Sequence, residues 1–346
     1  MSSISGTIPT SNIEIIFRIG FDILDRLGIK STMISPVGIM SCMAILQSGA
    51  NGNVLSDLMS FTGFSDPISG VNSLMNLNCH SFKMFNFFAS GDTPAKESFI
   101  ENVKRIAEIT DGINVSRLNA KIASVTNGLI PEALDPEDKH SSYVVGSVNH
   151  FKDNWKTQFD PTLTTKQTFH GRMGERLVDM MRANDVEMSY YESDSVKSIA
   201  IPYISGEFDF VLCMTTKGTS LPERFEVLEC MEHLTDTENV AILEIPKFTL
   251  GMKHDLKPIL SEIGLGSIMI QSDDFSGISD DPMYVSKVTQ DVRLDVNEEG
   301  TEASSVTVAC MSKGLSIRKY IIADRPFTFL VVHRATMIPV FIGNYV

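Results

Sequence analysis

Seven histidines, His80, His140, His150, His170, His233, His254 and His333, lie far apart in the chain. Folding could bring one beside a serine and an aspartate, but no local pattern supports such a nucleophile. There is no GxSxG elbow, HExxH helix, Walker loop, EF-hand loop or complete GxGxxG. Gly264-Leu265-Gly266 is only a fragment and reads as a turn. Asp273, Asp274, Asp280 and Asp281 follow no calcium-ligand spacing and read as a solvated loop. The cysteines Cys42, Cys79, Cys213, Cys230 and Cys310 are odd in number and lack a CxxC pair. They argue against a zinc ribbon or disulfide scaffold and for a reducing compartment. No metal and no cofactor is expected.

The candidate with most content is the segment from Asn297 to Ala309, which is mostly small and polar. At period two, Thr301, Ala303, Ser305, Thr307 and Ala309 share one face. None is charged or bulky, and the threonines favour strands. Such a segment suits exposure in one state and burial as a strand in another. The plainer reading is a flexible loop between strands.

The rest of the 346 residues must position that segment. With 43% hydrophobic residues the chain can bury a large core. Forty-three acidic and 29 basic residues give a net charge of −14, which argues against nucleic acid and anionic membranes. Arg172, Arg176, Arg182 and Lys197 are a thin basic scatter, so no heparin-like polyanion site is expected. No apolar run reaches the roughly 18–20 residues of a membrane span. Met1 to Ser11 lacks a basic region, and Glu14, Arg18 and Asp22 interrupt the apolar stretch after it, so no signal peptide is expected. These features point to a cytoplasmic protein, with release without a classical signal peptide as the alternative; in the cytoplasm the sequon Asn114-Val115-Ser116 would carry no meaning.

Helical spacing runs over Asn12–Gly28, with Asn12 as cap and Gly28 as stop. Ser35-Pro36 opens a helix to about Leu46 that is apolar nearly all round and therefore buried. Amphipathic helices are expected over Lys96–Asp111 and Leu118–Leu129. From about Tyr143 the pattern turns to strands: Ser198–Tyr203, Glu207–Met214, Val240–Phe248, Met283–Lys287 and Asp291–Asn297. Phe327–His333 and Ile338–Tyr345 read as a hairpin, with the C-terminus in the core. Helices first and strands later define an α+β class, expected as one domain over 1–346.

Local motifs add a family. Asn297-Glu-Glu-Gly-Thr-Glu-Ala303 closely resembles the hinge signature of the serpins. Ala323-Asp-Arg-Pro-Phe-Thr-Phe-Leu330 resembles the serpin segment after the reactive loop, and Ile338-Pro-Val-Phe-Ile-Gly343 the C-terminal strand. Ile34-Ser-Pro36 with Gly49-Ala-Asn-Gly-Asn53 is similar to the second helix and its end. Leu118-Asn119 with Thr126-Asn127-Gly128-Leu-Ile130 resembles the helix over the main sheet. Phe151-Lys152 to Trp155 with Phe159-Asp160 resembles the following strand and turn. Ile201-Pro-Tyr203, Ile245-Pro-Lys-Phe248 and Asp274-Phe-Ser-Gly-Ile278 complete the series. No single tripeptide is specific; the ordered series is. The absent leader is similar to the ovalbumin-type branch and to viral or protist members.

The resemblance implies a serpin fold with a large, mostly antiparallel central sheet, two smaller sheets and eight or nine helices. It implies a monomeric protease inhibitor, not an enzyme, whose exposed loop spans about 298–322. A target protease forms an acyl-enzyme with that loop, and the cut loop inserts into the main sheet. Glu298, Glu299, Gly300, Thr301, Glu302, Ala303, Ser304 and Ser305 are the implied hinge. Counting from the hinge places the reactive bond at Lys313-Gly314, with Leu315 and Ser316 as alternatives. Serine proteases of trypsin-like or cathepsin G-like specificity are the implied targets. The alternatives are cross-class inhibition of papain-like cysteine proteases and a non-inhibitory binding or chaperone role. Where the family usually has a histidine and an asparagine facing each other near Ser35, this chain has Gln290 and Ser147. The resemblance implies an altered hydrogen-bond pair in that sheet-opening region. Lys121 stands where an aromatic residue is common.

Overall fold

The computed structural model describes residues 10–91, 93–234, 237–301 and 319–346. They form two compact units. One holds residues up to Arg26 with Ile34–His150 and Gly251–Arg293; the other holds Leu27–Met33, Phe151–Leu250 and Leu294–Val346.

The helices are α1 (Thr10–Leu27), α2 (Pro36–Gln47), α3 (Gly52–Thr62), α4 (Pro67–Met75), α5 (Glu97–Val103), α6 (Val115–Val125) and α7 (Arg224–His233), with a short turn at Lys257–Leu260. The strands begin with β1 (Thr32–Ile34), β2 (Phe82–Ser90), β3 (Glu108–Asp111), β4 (Tyr143–Phe151), β5 (Asp153–Asn154) and β6 (Thr165–Gly171). Then come β7 (Gly174–Glu192), β8 (Val196–Pro202), β9 (Phe208–Thr215), β10 (Thr237–Pro246) and β11 (Phe248–Asp255). β12 (Thr289–Val296), β13 (Gly300–Thr301), β14 (Lys319–Ile322), β15 (Phe327–His333) and β16 (Ile338–Tyr345) complete the set.

In the first unit, α1 buries Ile16, Ile19, Ile23 and Leu24 on one face. It starts at Thr10, so Asn12 lies inside the helix and is not its cap, while Gly28 at φ +88° ends it. Every residue of α2 is buried, which is why its pattern is apolar all round. β3, β2 and β4 form a three-stranded sheet. The helix expected over Lys96–Asp111 stops at Val103, and Glu108–Asp111 pairs in parallel with Phe87–Ser90 as β3. α6 starts earlier than expected because Asn114 caps it, its Oδ1 accepting from the Arg117 N–H at 2.9 Å. Asp274 is not merely solvated: its Oδ2 accepts from Val54 N–H at 3.4 Å, in the first turn of α3.

The second unit is built on a nine-stranded sheet in the order β1, β16, β15, β9, β8, β7, β10, β14, with β6 on β7. β15 and β16 pair from Phe327↔Tyr345 to His333↔Ile338, and all of β16 is buried. The pairings of β6 to β10 and β15 with one another are antiparallel, and β14 joins β10 in parallel. β5 and β13 form a separate two-stranded ladder, as do β11 and β12. Met283–Lys287, expected as a strand, contributes only the bridge Ser272↔Met283.

Candidate functional site

The first unit contains an unfilled slot. β4 pairs with β2 on one edge and has no strand on its other edge among the described residues. That edge faces the segment from Met283 to Asp291 across a cavity of about 80 Å³. Phe87, Phe88, Leu134, Val148 and Val285 give it apolar walls. The space holds two or three waters at ~30 Å³ each, not a strand. Leu118, Ile122 and Ile130 pack with Phe87 and Val148 in one cluster, so α6 and the chain after it cover this sheet. The slot therefore lies beside the three-stranded sheet of the first unit.

Ser147 lines the slot, while Gln290 and Ser35 bond to each other, so the implied pair is not formed. Gln290 Oε1 accepts from the Ser35 N–H at 2.9 Å, and its Nε2 donates to the Ser35 carbonyl at 2.8 Å. A primary amide presents a donor and an acceptor side by side, so one side chain satisfies both backbone groups. Ser147 Oγ and Ser35 Oγ are buried without a partner among the described residues. Sequence reasoning missed Asn149, which is 1% exposed and whose amide atoms have no partner among the described residues. A Cβ on Gly38 would lie 2.1 Å from Asn149 Nδ2, so glycine there makes the room. The signal was Gly38 itself, inside a helix of large apolar residues.

The second unit holds the described start of the implied hinge, Glu298 to Thr301. Asn297 starts a tight turn: its Oδ1 accepts from the N–H groups of Glu299 and Gly300 at 3.0 and 3.2 Å. Gly300 has φ +148°, and a Cβ there would come within 2.4 Å of Asn154 Cα and the Asp153 carbonyl. Only glycine fits both demands. β13 then pairs antiparallel with β5, Gly300 opposite Asn154 and Thr301 opposite Asp153.

Trp155 anchors this turn. Its ring stacks on Tyr203 at 4.7 Å and 16°, it is 1% exposed, and its Nε1–H donates to the Asn297 carbonyl at 2.8 Å. The Trp155 and Phe159 N–H groups donate to the carbonyls of Glu299 and Glu298 at 3.0 and 2.9 Å. Glu298 Oε2 accepts from Lys247 Nζ at 2.8 Å, and Oε1 from Thr164 Oγ1 at 2.9 Å. Burial opposes charge on Glu298, yet the Lys247 and Thr164 hydrogen bonds outweigh it and hold the carboxyl below its usual range. Glu299 Oε2 is buried without a partner among the described residues.

The hinge residues Glu302, Ala303, Ser304 and Ser305 and the reactive-bond candidates Lys313, Gly314, Leu315 and Ser316 lie outside the described residues. The four basic residues thought to scatter on the surface are partly engaged: Arg182 Nη1 donates to buried Glu244 at 3.1 Å, and Arg176 lies 4.4 Å from the Phe169 ring centroid. Lys121 pairs with Glu108 at 3.4 Å. No helix among the described residues is long and apolar enough to cross a membrane.

Among the described residues, β4 has an open edge beside a cavity in the first unit, and in the second unit Gly300 turns the chain into its pairing with β5. The chain belongs to the serpin family: the family model for Serpin (serine protease inhibitor) matches residues 17–346. It is 28% identical to an uncharacterized serpin-like protein of Methanosarcina acetivorans, over 94% of this chain and 85% of that one. It is also 28% identical to intracellular coagulation inhibitor 1 of Tachypleus tridentatus, over 98% of this chain and 89% of that one. The native crystal structure of tengpin, a thermophilic serpin, shares the fold at a TM-score of 0.84 and 21% identity, covering 98% of this chain and 94% of that one.

Proposed function

We propose that this serpin is a suicide-substrate inhibitor of serine proteases with trypsin-like or cathepsin G-like specificity. The observation that carries the reading is the pairing of Gly300 and Thr301 with β5, because insertion would extend a ladder that has already begun. The protease nucleophile attacks the Lys313 carbonyl carbon. The Lys313–Gly314 bond breaks, the proton passes to the new amino group of Gly314, and an ester joins Lys313 to the enzyme. Residues from Thr301 onward then zip into the slot beside β4, where small side chains slow them least. The protease, still esterified, is displaced and distorted before water can release it. The reading takes residues 1–346 as one functional domain with a loop over about 298–322. It also takes the protein as a cytoplasmic monomer that needs no cofactor, metal, nucleic acid, membrane or heparin.

The test is incubation with trypsin, a cathepsin G-like and a cathepsin L-like protease, followed by denaturing electrophoresis and sequencing of the released peptide. A stable complex with a serine protease and a new N-terminus at Gly314 is expected. An N-terminus at Leu315 or Ser316 moves the bond and the target class. A complex with the cysteine protease alone makes the inhibitor cross-class. Clean cleavage without any complex refutes inhibition and leaves a binding role.

A further inference from the structure

The chain between α6 and β4 crosses the slot and is fastened on its far side by charge. On the near side Asn119 of α6 holds it. Its Oδ1 accepts from the Ala133 and Leu134 N–H groups at 3.1 and 2.9 Å, and its Nδ2 donates to the Leu134 carbonyl at 2.9 Å. Leu134 then buries itself with Phe87, Leu118 and Val148. On the far side stand two lysines. Lys253 of β11 donates to Asp135 Oδ1 at 2.7 Å. Lys287, on the segment facing β4, donates to Asp135 Oδ2 at 2.6 Å and to both Asp138 oxygens at 3.1 and 3.2 Å. Asp138 Oδ2 also accepts from the Asp135 backbone N–H at 2.7 Å, which ties the Asp138 carboxylate to the strap's own backbone. Positive and negative groups therefore alternate as Lys253, Asp135, Lys287, Asp138. Ala133, Leu134 and Asp138 line the cavity beneath.

We propose that residues 133–138 are a strap whose ionic clasp sets how readily the slot opens, making opening sensitive to ionic strength. The proposal rests on the reading that the slot takes the cut loop, and adds a control over it. The geometry forces the link. A strand entering beside β4 separates its flanks by about 4.8 Å. Ion pairs of 2.6–3.2 Å cannot stretch that far, so the clasp must release or the strap must lift. Its outer members remain partly in water: the Lys253, Lys287 and Asp135 side chains are 34%, 37% and 47% exposed. Dissolved salt therefore reaches and screens them.

The experiment uses the uncleaved full chain and no protease, so it is decided whether or not the protein inhibits anything. Amide hydrogen exchange is followed in peptides covering 143–148 and 285–291, at about 0.01 M and about 1 M NaCl, where the Debye length falls from about 30 to about 3 Å. Wild type should open about five- to tenfold faster in high salt, a change on the scale of a few exposed pairs. Lys287→Met should open fast at both salt levels, and Lys287→Arg should restore the salt response. Exchange in β15 and β16 monitors global unfolding. Should Lys287→Met unfold the protein, Lys253→Met, which removes one outer pair, should show a reduced response. Wild-type opening indifferent to salt, or variants that respond as wild type does, would overturn the clasp.

Discussion

Glu298 and Thr301 are the single residues at which the proposed insertion is tested. Glu298 has its folded pKa held below its ordinary 4.5 by Lys247 and Thr164 against the effect of burial. A carboxyl with a depressed folded pKa adds stability above its unfolded pKa and loses it as pH falls through the folded value. The hinge contact should therefore loosen in acid, below about pH 4.5. Trp155, the only tryptophan, bonds to Asn297 and reports the change. Wild type should show an acid transition in Trp155 emission that Glu298→Gln lacks. That variant should also cost about 1–3 kcal/mol in denaturant unfolding, the scale of a hydrogen bond to a charged group. A second substitution addresses insertion. Thr301→Arg should convert inhibitor to substrate, because an unpaired guanidinium entering a closed slot is expensive. Cleavage should continue while covalent complex disappears; stoichiometric trapping by Thr301→Arg would contradict the mechanism.

At the scale of elements, α2, β4 and β12 meet through one polar group of neighbours. Gly38→Ala puts a methyl 2.1 Å from the Asn149 amide, so Asn149 must move. The expected cost is about 1–3 kcal/mol, the range for overpacking a filled interior. Asn149→Ala removes the clash, and the double variant should recover most of that loss in a thermodynamic cycle. Additive losses would mean that the two residues do not compete for space. Legibility in sequence divides along the same lines. α2 and the hairpin of β15 and β16 were readable because burial on all sides, or on both sheet faces, leaves a continuous apolar record. β12 was readable because its burial alternates. β3 was not, since Glu108–Asp111 is half exposed and its place is set by a parallel partner distant in sequence. Nor were α3, α4 and β2 expected from the pattern. β2 is buried nearly throughout, so its run shows no period. At the implied hinge the motif carried Gly300, and the structure adds the turn that requires it. The Gln290 pairing was not, because its partner is backbone, which has no sequence identity.

For the whole molecule, the central claim is that the native fold is held short of a more stable one that the cut loop can reach. Among the described residues, the open edge of β4, the cavity beside it and the unpartnered Ser147 Oγ that lines it are the deficits that the proposed inserted strand would reduce. An added ladder also supplies backbone hydrogen bonds on both its edges. The most direct measurement is a thermal melt before and after limited proteolysis between Ser312 and Lys319, with both fragments retained. A rise of at least about 10 °C is predicted, since each kcal/mol moves the midpoint of a large domain by about 2–4 °C. A midpoint that stays put or falls after the cut would contradict the account.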